Sequence, residues 1–540
     1  MARFKVLITD NLAPEGVAIL EADPEIAVDV KIGVKPDELK QIIGDYDAII
    51  TRSGTSITAE LLEHPGRLKI IGRAGVGLDN VDIEAASIKG IIVMNAPTGN
   101  TIAATELTFG MMLSACRKIP AANLSLRKLE WDRKRFMGIQ LYGKTLGIVG
   151  LGRIGGNVAA RAKGFGMQVI AYDPYVKRAK AEAHGVRLCE TLDELLAASD
   201  IITFHTPLTD ETRDLVGAAE IAKMKEGVVI INCARGGIVN EQALYEALKS
   251  GKVFAAGVDV FSREPLGEHP LLELDNVFVT PHLGANTTEG QKGVAVIIAE
   301  QVVSALNGRS YDNAVNIPYM RSQLPEEMRY YFDLAEAMGH LAAQVSSGRP
   351  EAIEVVMVGS KFADDFGERV FDSPFNFQPF TSAALKGFME HSVRENVTFI
   401  NAPYLARERN LAVEESKTGH FANMNDLVVV KVRTDRDQTV VAGTVFSDNL
   451  GRILLLDQFR LEMIAEGTYL YFKNIDKPGI VGGVGTVLGR HGVNIAGFNL
   501  SRIKGGKAVS FVSVDNEITQ EVLDDLLQVD GLLEAKVVTL

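Results

Sequence analysis

A chain of 540 residues is too long for one hydrophobic core and, at ordinary domain sizes, divides into three or four domains. Its 56 lysines and arginines against 69 aspartates and glutamates leave a net charge of −13, which argues against nucleic acid or an anionic membrane as the main partner. Three scattered cysteines, Cys116, Cys189 and Cys233, lack the paired spacing of a zinc site; they read as reduced thiols in a cytoplasmic protein, and no metal centre is expected.

The opening MARFKVLITD meets Asp10 before any long apolar run, so it reads as a first strand and not as a signal peptide. The chain has no stretch of about eighteen uncharged apolar residues, and no membrane span is expected. Phe4 to Ile8, Ala48 to Thr51, Leu68 to Ile71 and Ile91 to Met94 read as strands of a small βαβ-type sheet, with a short helix from Gly16 to Ala22. One long helix is expected from Ile102 to Leu129.

A second series runs from Thr145 to Gly284, with strands at Leu146 to Val149, Gln168 to Tyr172, Ile201 to Phe204, Val228 to Asn232, Phe254 to Val258 and Val277 to Thr280. Short, nearly continuous apolar runs separated by helical segments predict a parallel sheet covered on both faces. A helix from Glu289 to Ala305 would return the chain to the first domain, making that domain discontinuous. Past Asn313 to Pro318 the pattern changes, and strands and helices mix less regularly to about Glu466, with loops such as Phe371 to Phe377. The last seventy-odd residues read β-α-β-β-α-β, from Thr468 to Lys473, through a helix ending at Arg490, two strands and a helix from Thr519 to Leu527, to a final strand.

The first chemistry lies in Thr145-Leu-Gly-Ile-Val-Gly150-Leu-Gly152-Arg-Ile-Gly155: strand, glycine-rich turn, helix. Gly150 permits the turn, Gly152 lets backbone approach a pyrophosphate, and Gly155 allows close helix–strand packing. Arg153 and Ile154 open the helix whose free N–H groups face the phosphates. The next strand ends in Asp173, placed to accept hydrogen bonds from an adenosine ribose and to repel a 2′-phosphate, which favours NAD. Gly75-Val-Gly77 lacks a third glycine, and Gly483-Val-Gly485 lies inside a probable helix, so neither is a dinucleotide loop.

Arg235, Glu264 and His282 stand at carboxyl ends of strands in this second domain, where a doubly wound fold places its crevice. Oxidation of a 2-hydroxy acid needs a base for the hydroxyl proton while hydride leaves the same carbon, and histidine titrates nearest neutrality. A neighbouring carboxylate steadies the imidazolium, and a guanidinium holds a carboxylate at two points.

In this order and context, Arg235, Glu264 and His282 resemble the catalytic triad of the D-2-hydroxyacid dehydrogenase family. The resemblance implies that Asp259 binds the nicotinamide carboxamide, that Thr206 and Pro207 line the cofactor, and that Cys233 and Ala234 lie beside the nicotinamide; His282 and Gly284 complete the set. It also implies substrate contacts from Arg52, Ser53, Arg73, Val76 and Gly77, with Asn100 close by. The segment around Trp131, carrying Arg133, Lys134 and Arg135, resembles the one that brings basic residues toward the substrate phosphate in phosphoglycerate dehydrogenases; its alternative is a solvated basic loop.

The final segment, with Asn474, Asp476 and Asn494, looks like an ACT domain, a small-ligand sensor, and the region from about 317 to 455 resembles the intervening domain of the long-form enzymes of that family. Asn474 stands where some serine-inhibited members carry histidine, while Asp476 and Asn494 suit the two ends of an amino acid and read equally as an N-cap and a turn residue. Arg452 and Arg460 are candidates for a second anion site.

The expected architecture is α/β: a discontinuous flavodoxin-like substrate-binding domain (1–98 and 286–316), a doubly wound NAD-binding Rossmann domain (99–285), an α+β intervening regulatory domain (317–460) and a βαββαβ ACT domain (466–540). The expected activity is NAD-dependent oxidation of 3-phospho-D-glycerate, the entry to serine, in a cytoplasmic homodimer or homotetramer with L-serine as a candidate effector. The alternatives are a dehydrogenase of another D-2-hydroxy acid or a nicotinamide-sensing regulatory protein on the same fold.

Overall fold

A computed structural model describes residues 2–183, 185–317, 321, 324–363, 375, 377–393 and 396–540. His184, Pro318, and 371–374 with 376 of the Phe371 to Phe377 loop lie outside the described residues. The chain groups into two compact units, one of Met1–Ser56, Ile70–Val81 and Met94–Asn313, the other of Ile57–Lys69, Asp82–Val93 and Ala314–Leu540.

The N-terminal sheet has the order Ile26–Val30, Phe4–Ile8, Ala48–Thr51, Ile70–Arg73, Ile92–Asn95, the flavodoxin-like order 2-1-3-4-5. Its inner strands are nearly all buried, whereas the edge strand Ile26–Val30, though mostly apolar in sequence, buries only Ile26 fully. The return helix, Thr288–Leu306, lies on this sheet and on the helix Pro14–Glu21. Contact is so close that a Cβ on Gly16 would stand 2.7 Å from the carbonyl oxygen of Ala295, and one on Gly72 3.0 Å from Ile298.

The single helix expected over 102–129 is instead two, Thr101–Arg117 and Ile119–Arg127. Lys118 between them is left-handed (φ 52°) and Pro120 follows, whose ring and missing N–H cannot continue the first helix. The next sheet is parallel and seven-stranded, in the order Val277–Val279, Val253–Val258, Val228–Asn232, Ile201–Phe204, Thr145–Val149, Gln168–Tyr172, Arg187–Leu188. Chain direction across the sheet reverses between Ile201–Phe204 and Thr145–Val149, and the ligand crevice of such a sheet opens at that switch point.

In the second unit a six-stranded sheet (Ala412–Thr418, Pro350–Val358, Leu427–Thr434, Gln438–Val445, Gly451–Leu456, Phe459–Ile464) packs under the helices Glu326–Val345 and Pro379–Ser392. The helices touch backbone to backbone: a side chain on Gly339 would overlap the carbonyl of Ala384, and one on Gly387 that of Glu336. Gly339→Ala should therefore lower thermal stability, by an overpacking cost of about 1–3 kcal/mol, while Gly419→Ala, where a Cβ meets open space, should not; a thermal melt by circular dichroism compares them.

The C-terminal sheet is antiparallel, in the order Ile495–Arg502, Lys507–Val514, Thr468–Ile475, Leu532–Thr539. One face, with Leu470, Phe472 and Val512, is covered by the helices Ile480–Arg490 and Gln520–Leu527. The other gives Tyr471, Phe511 and Val538 to the core beneath Tyr331 and Phe388, so the period-two alternation of each strand feeds two separate cores. Among the described residues no helix is long and apolar enough to cross a membrane.

Candidate active site

The glycine turn sits at the switch point of the seven-stranded sheet. Gly150 has φ +93°, and a Cβ there would lie 2.8 Å from the carbonyl oxygen of His205 on the neighbouring strand end. A Cβ on Gly155 would overlap the Gly150 carbonyl, whereas at Gly152, the N-cap of helix Arg153–Gly164, the Cβ direction is open among the described residues. Packing thus requires Gly150 and Gly155, and the free space at Gly152 fits a pyrophosphate on the helix N-terminus. Gly152→Ala should fold as the parent and lose NADH affinity by at least about tenfold, roughly 1.4 kcal/mol, whereas Gly155→Ala should lower the melting temperature; fluorescence titration beside a thermal melt separates the two.

Asp173 accepts hydrogen bonds from the N–H of Leu151 (2.8 Å) and of Tyr175 (2.9 Å), which steadies the turn and leaves acceptor capacity on both oxygens. Arg153 is exposed and Ile154 half-buried at the helix start. The Thr206 hydroxyl is buried without a partner, as a cofactor-lining donor would be before its ligand arrives, and the Pro207 carbonyl accepts from Thr212 at 2.7 Å. The Cys233 thiol is buried and pushed up by desolvation, which keeps it a neutral packing group. The neighbouring Ala234 N–H is held by Asn232 (3.1 Å). His205 is half-buried, its imidazole pushed down to about 3 by desolvation, and lies 3.1 Å from the Thr203 hydroxyl, so it stays neutral.

His282 and Glu264 meet: Nδ1 of the imidazole lies 2.7 Å from Oε2 of the carboxylate, with both side chains partly exposed. Glu264 Oε1 accepts the Phe261 N–H at 3.0 Å. His282 itself has φ +54°, an uncommon value for a side-chain-bearing residue. Its loop is held there by Asp259, fully buried, whose carboxylate accepts from Thr280 Oγ1 (2.5 Å), Leu283 N–H (2.7 Å) and Gly284 N–H (3.0 Å). Burial raises the Asp259 carboxyl, and these donors and His282 offset the rise. Asp259 thus shapes the loop that presents His282, with one acceptor position left.

Arg235 donates from Nε to Asp79 Oδ2 (2.9 Å) and from Nη1 to the Ala234 carbonyl (2.7 Å), while Nη2 lies over Gly77, where a Cβ would displace the guanidinium. Arg52 and Arg73 share its field. Burial pushes the Arg73 guanidinium down to about 10, the charges of Arg235 and Arg52 push it further, and Asp79 and Asp10 oppose this. Burial likewise lowers Arg52, offset by Asp10. Nε of both Arg52 and Arg73, and Oδ1 of Asn100, are buried without partners. The charges of Arg235, Arg52 and Arg73 thus act on one another, and a guanidinium is suited to hold a carboxylate or phosphate at two points.

The Arg52–Ser53 loop is tied by Asp10, which accepts from Thr51 Oγ1 (2.9 Å) and the Arg52 N–H (2.6 Å), and by Asn80, which donates to the carbonyls of Arg52 (2.6 Å) and Thr55 (2.5 Å). The Val76 carbonyl accepts from Asn95 (2.6 Å). Asp10, Asp79 and Asn80 were missed in the sequence; the signal was their position at strand ends of the same sheet.

Other expected sites stand apart from this group. Arg133, Lys134 and Arg135 are exposed, with Arg135 paired to Asp275 at 2.9 Å. Asn474 is buried, with Nδ2 on the Ile475 carbonyl and Oδ1 unpartnered; Asp476 faces Arg502 (3.4 Å), and Asn494 donates to Asp515 (2.6 Å). Arg452 is taken by Asp448 in a two-point pair that holds the aspartate down to about 2, and it stacks on Phe446, which disfavours the second anion site. Glu336, His340 and Glu390 place ligand atoms within 4.8 Å of one another, but Lys386 already pairs with both glutamates.

Residues 109–284 match the family of D-isomer specific 2-hydroxyacid dehydrogenase NAD-binding domains, which places this geometry in the class of NAD-dependent 2-hydroxyacid dehydrogenases. In solved structures the N-terminal part resembles D-lactate dehydrogenase from Aquifex aeolicus complexed with NAD and lactic acid (31% identity, TM-score 0.51), over 56% of this chain and 96% of that one. Residues 327–457 match the D-3-phosphoglycerate dehydrogenase intervening domain, and 468–531 the ACT domain. D-3-phosphoglycerate dehydrogenase of Methanocaldococcus jannaschii is 41% identical over 99% of this chain and 100% of its own length, and that of Archaeoglobus fulgidus 42% identical over the same shares. The chain belongs to the D-3-phosphoglycerate dehydrogenase family.

Proposed function

We propose that the protein oxidises 3-phospho-D-glycerate to 3-phosphohydroxypyruvate with reduction of NAD, the first step of L-serine biosynthesis. The observation that carries this reading is the imidazole–carboxylate pair of His282 and Glu264 on the sheet that also presents Arg235, with Arg52 and Arg73 in the field of that guanidinium. NAD, which Gly150, Gly152, Gly155 and Asp173 would hold, would supply the hydride acceptor for C2 of the substrate. His282 takes the hydroxyl proton; with Nδ1 engaged by Glu264, Nε2 is the nitrogen left to receive it. Arg235 holds the substrate carboxylate and polarises the reacting oxygen, and its Asp79 bond fixes the guanidinium plane. Arg52, Ser53, Arg73, Val76, Gly77 and Asn100 enclose the rest of the anion, and the exposed Arg133, Lys134 and Arg135 attract its phosphate in an otherwise acidic protein.

Gly150, Gly152, Arg153, Ile154, Gly155 and Asp173 are assigned to the adenosine and pyrophosphate. Thr206, Pro207, Cys233, Ala234, Asp259, His282 and Gly284 are assigned to the nicotinamide side. The division into substrate-binding (1–98, 286–316), NAD-binding (99–285), intervening (317–460) and ACT (466–540) domains is supported by one sheet for each, although the last strand of the intervening sheet, Phe459–Ile464, runs past 460. L-serine is the proposed effector at Asn474, Asp476 and Asn494; the unpartnered Asn474 Oδ1 supports it, and binding would compete with Arg502 for Asp476.

The protein is proposed to be cytoplasmic and a homodimer or homotetramer. Leu124, Leu126, Leu129, Trp131, Met137 and Tyr142 are all more than half exposed within one stretch of chain, apolar surface that a contact between copies would cover. Light scattering should give a mass of at least two chains, and Leu129→Asp with Trp131→Asp should lower it.

The deciding experiment is initial-rate NADH formation from 3-phosphoglycerate and NAD with a trap for the product, repeated with L-serine. Turnover supports the reaction and its substrate, and inhibition in the second lane supports the effector. Turnover only on unphosphorylated 2-hydroxy acids would keep the His282 chemistry and reject the substrate.

A further inference from the structure

Behind the Glu264–His282 pair lies a second carboxylate–imidazole pair that the reaction does not itself use. Glu241 is the first residue of the helix Glu241–Ser250. Its Oε1 accepts the backbone N–H of Ser262 at 2.7 Å, and its Oε2 accepts the Ser262 hydroxyl at 3.0 Å and lies 3.1 Å from Nε2 of His269. Nδ1 of His269 accepts the Leu271 N–H at 3.3 Å, so the ring proton belongs on Nε2 and is donated to Glu241. The His269 ring also meets Phe261 edge-on at 5.9 Å, and the Glu241 and His269 side chains are only 17% and 18% exposed.

The His269 bond ties Glu241 to the turn that follows the loop carrying Glu264, and the two Ser262 bonds end on that loop itself. Its opposite side is equally fixed: the Phe261 N–H bonds Glu264 itself, and Gly236, next to Arg235, lies so close to the Phe261–Ser262 peptide that no Cβ would fit. Glu264 is therefore built on a short segment clamped from both sides, and the reach of its carboxylate to His282 depends on where Ser262 is held. The two oxygens of Glu241 have acceptor capacity for the Ser262 amide, the Ser262 hydroxyl and His269 Nε2–H together.

We propose that Glu241, with its tautomer-fixing partner His269, is a positioning residue for the catalytic pair: it sets Glu264 at bonding distance from His282. This rests on the reading of His282 and Glu264 as the proton-handling pair. Glu241→Gln is the smallest disruption, since the amide puts an N–H₂ against one of three donors while keeping shape.

The test uses the full-length enzyme and the variants Glu241→Gln, Glu264→Gln and the double variant. Glu241→Gln should lower kcat by about tenfold, the lower range for loss of a supporting partner, with the KM for NAD unchanged. Its pH profile of kcat/KM should move in the same direction as that of Glu264→Gln, and the double variant should be no worse than Glu264→Gln alone. Independently of turnover, proton NMR without substrate should show the downfield resonance of an imidazole N–H bonded to carboxylate, assigned by its loss in His282→Gln, absent in Glu264→Gln and altered in Glu241→Gln.

Parental kcat, pH profile and resonance in Glu241→Gln would overturn the proposal, as would a double variant whose loss is the product of the single losses. If Glu241→Gln does not fold, Ser262→Ala and His269→Gln decide: parental profiles and resonance in both overturn it, and displacement toward Glu264→Gln supports it. A parental protein with no activity on 3-phosphoglycerate would reject the substrate reading, and the resonance would still decide the role of Glu241.

Discussion

Alanine at position 282 should lower kcat by about 10²–10⁴, the usual cost of losing a placed acid–base group, with NADH binding nearly unchanged. The loop around His282 is held by Asp259 through Thr280, Leu283 and Gly284, none of which uses the imidazole. The His282 backbone N–H bonds the Asp259 and Thr280 carbonyls, and these bonds survive truncation of the side chain. What disappears is the proton acceptor and its bond to Glu264, so the loss belongs in the chemical step. Glu264→Gln retains a side chain of the same size beside His282 but removes the charge that favours the protonated ring, and a smaller loss is expected. Steady-state turnover with fluorescence titration of NADH tests both, and near-parental turnover in His282→Ala would reject the base.

The parts of this site legible in the sequence are those whose chemistry forces a local pattern. The glycine turn announces itself because backbone must approach phosphate, and the structure gives Gly150 and Gly155 different reasons to lack a side chain while leaving Gly152 open. Arg235, Glu264 and His282 were legible because parallel strands are continuous apolar runs, so a charged residue just past one stands at the crevice. Asp79 stood in plain view after Gly77, yet its value lies in a bond to Arg235, 156 residues away, and such pairing has no local signature. Glu241 was hidden for the same reason, as an ordinary acidic residue in a first helical turn.

Elements failed where local signal was weak or tertiary packing decided. The edge strand Ile26–Val30 is half exposed, and the two-residue strand Arg187–Leu188 is too short for any period. The break at Lys118 could have been read from Pro120, but the Ala-, Leu- and Met-rich run around it outweighed one residue. In the intervening region the sheet pairs Pro350–Val358 with Ala412–Thr418 across two helices, an order that strand propensity cannot give.

Arg235→Lys should lower kcat/KM by about 10²–10³, or roughly 3–4 kcal/mol of transition-state stabilisation. The guanidinium uses Nε for Asp79 and one N–H of Nη1 for the Ala234 carbonyl, which leaves its remaining donors in a fixed plane for substrate. An ammonium cannot hold Asp79 and a two-point carboxylate contact together, so charge is kept while geometry is lost. Arg235→Met removes the charge as well as the fork, so its kcat/KM should fall below that of Arg235→Lys, with NADH affinity unchanged in both. Steady-state kinetics beside fluorescence titration of NADH makes the comparison: parental kcat/KM in Arg235→Lys would show that position 235 supplies charge alone and no two-point contact.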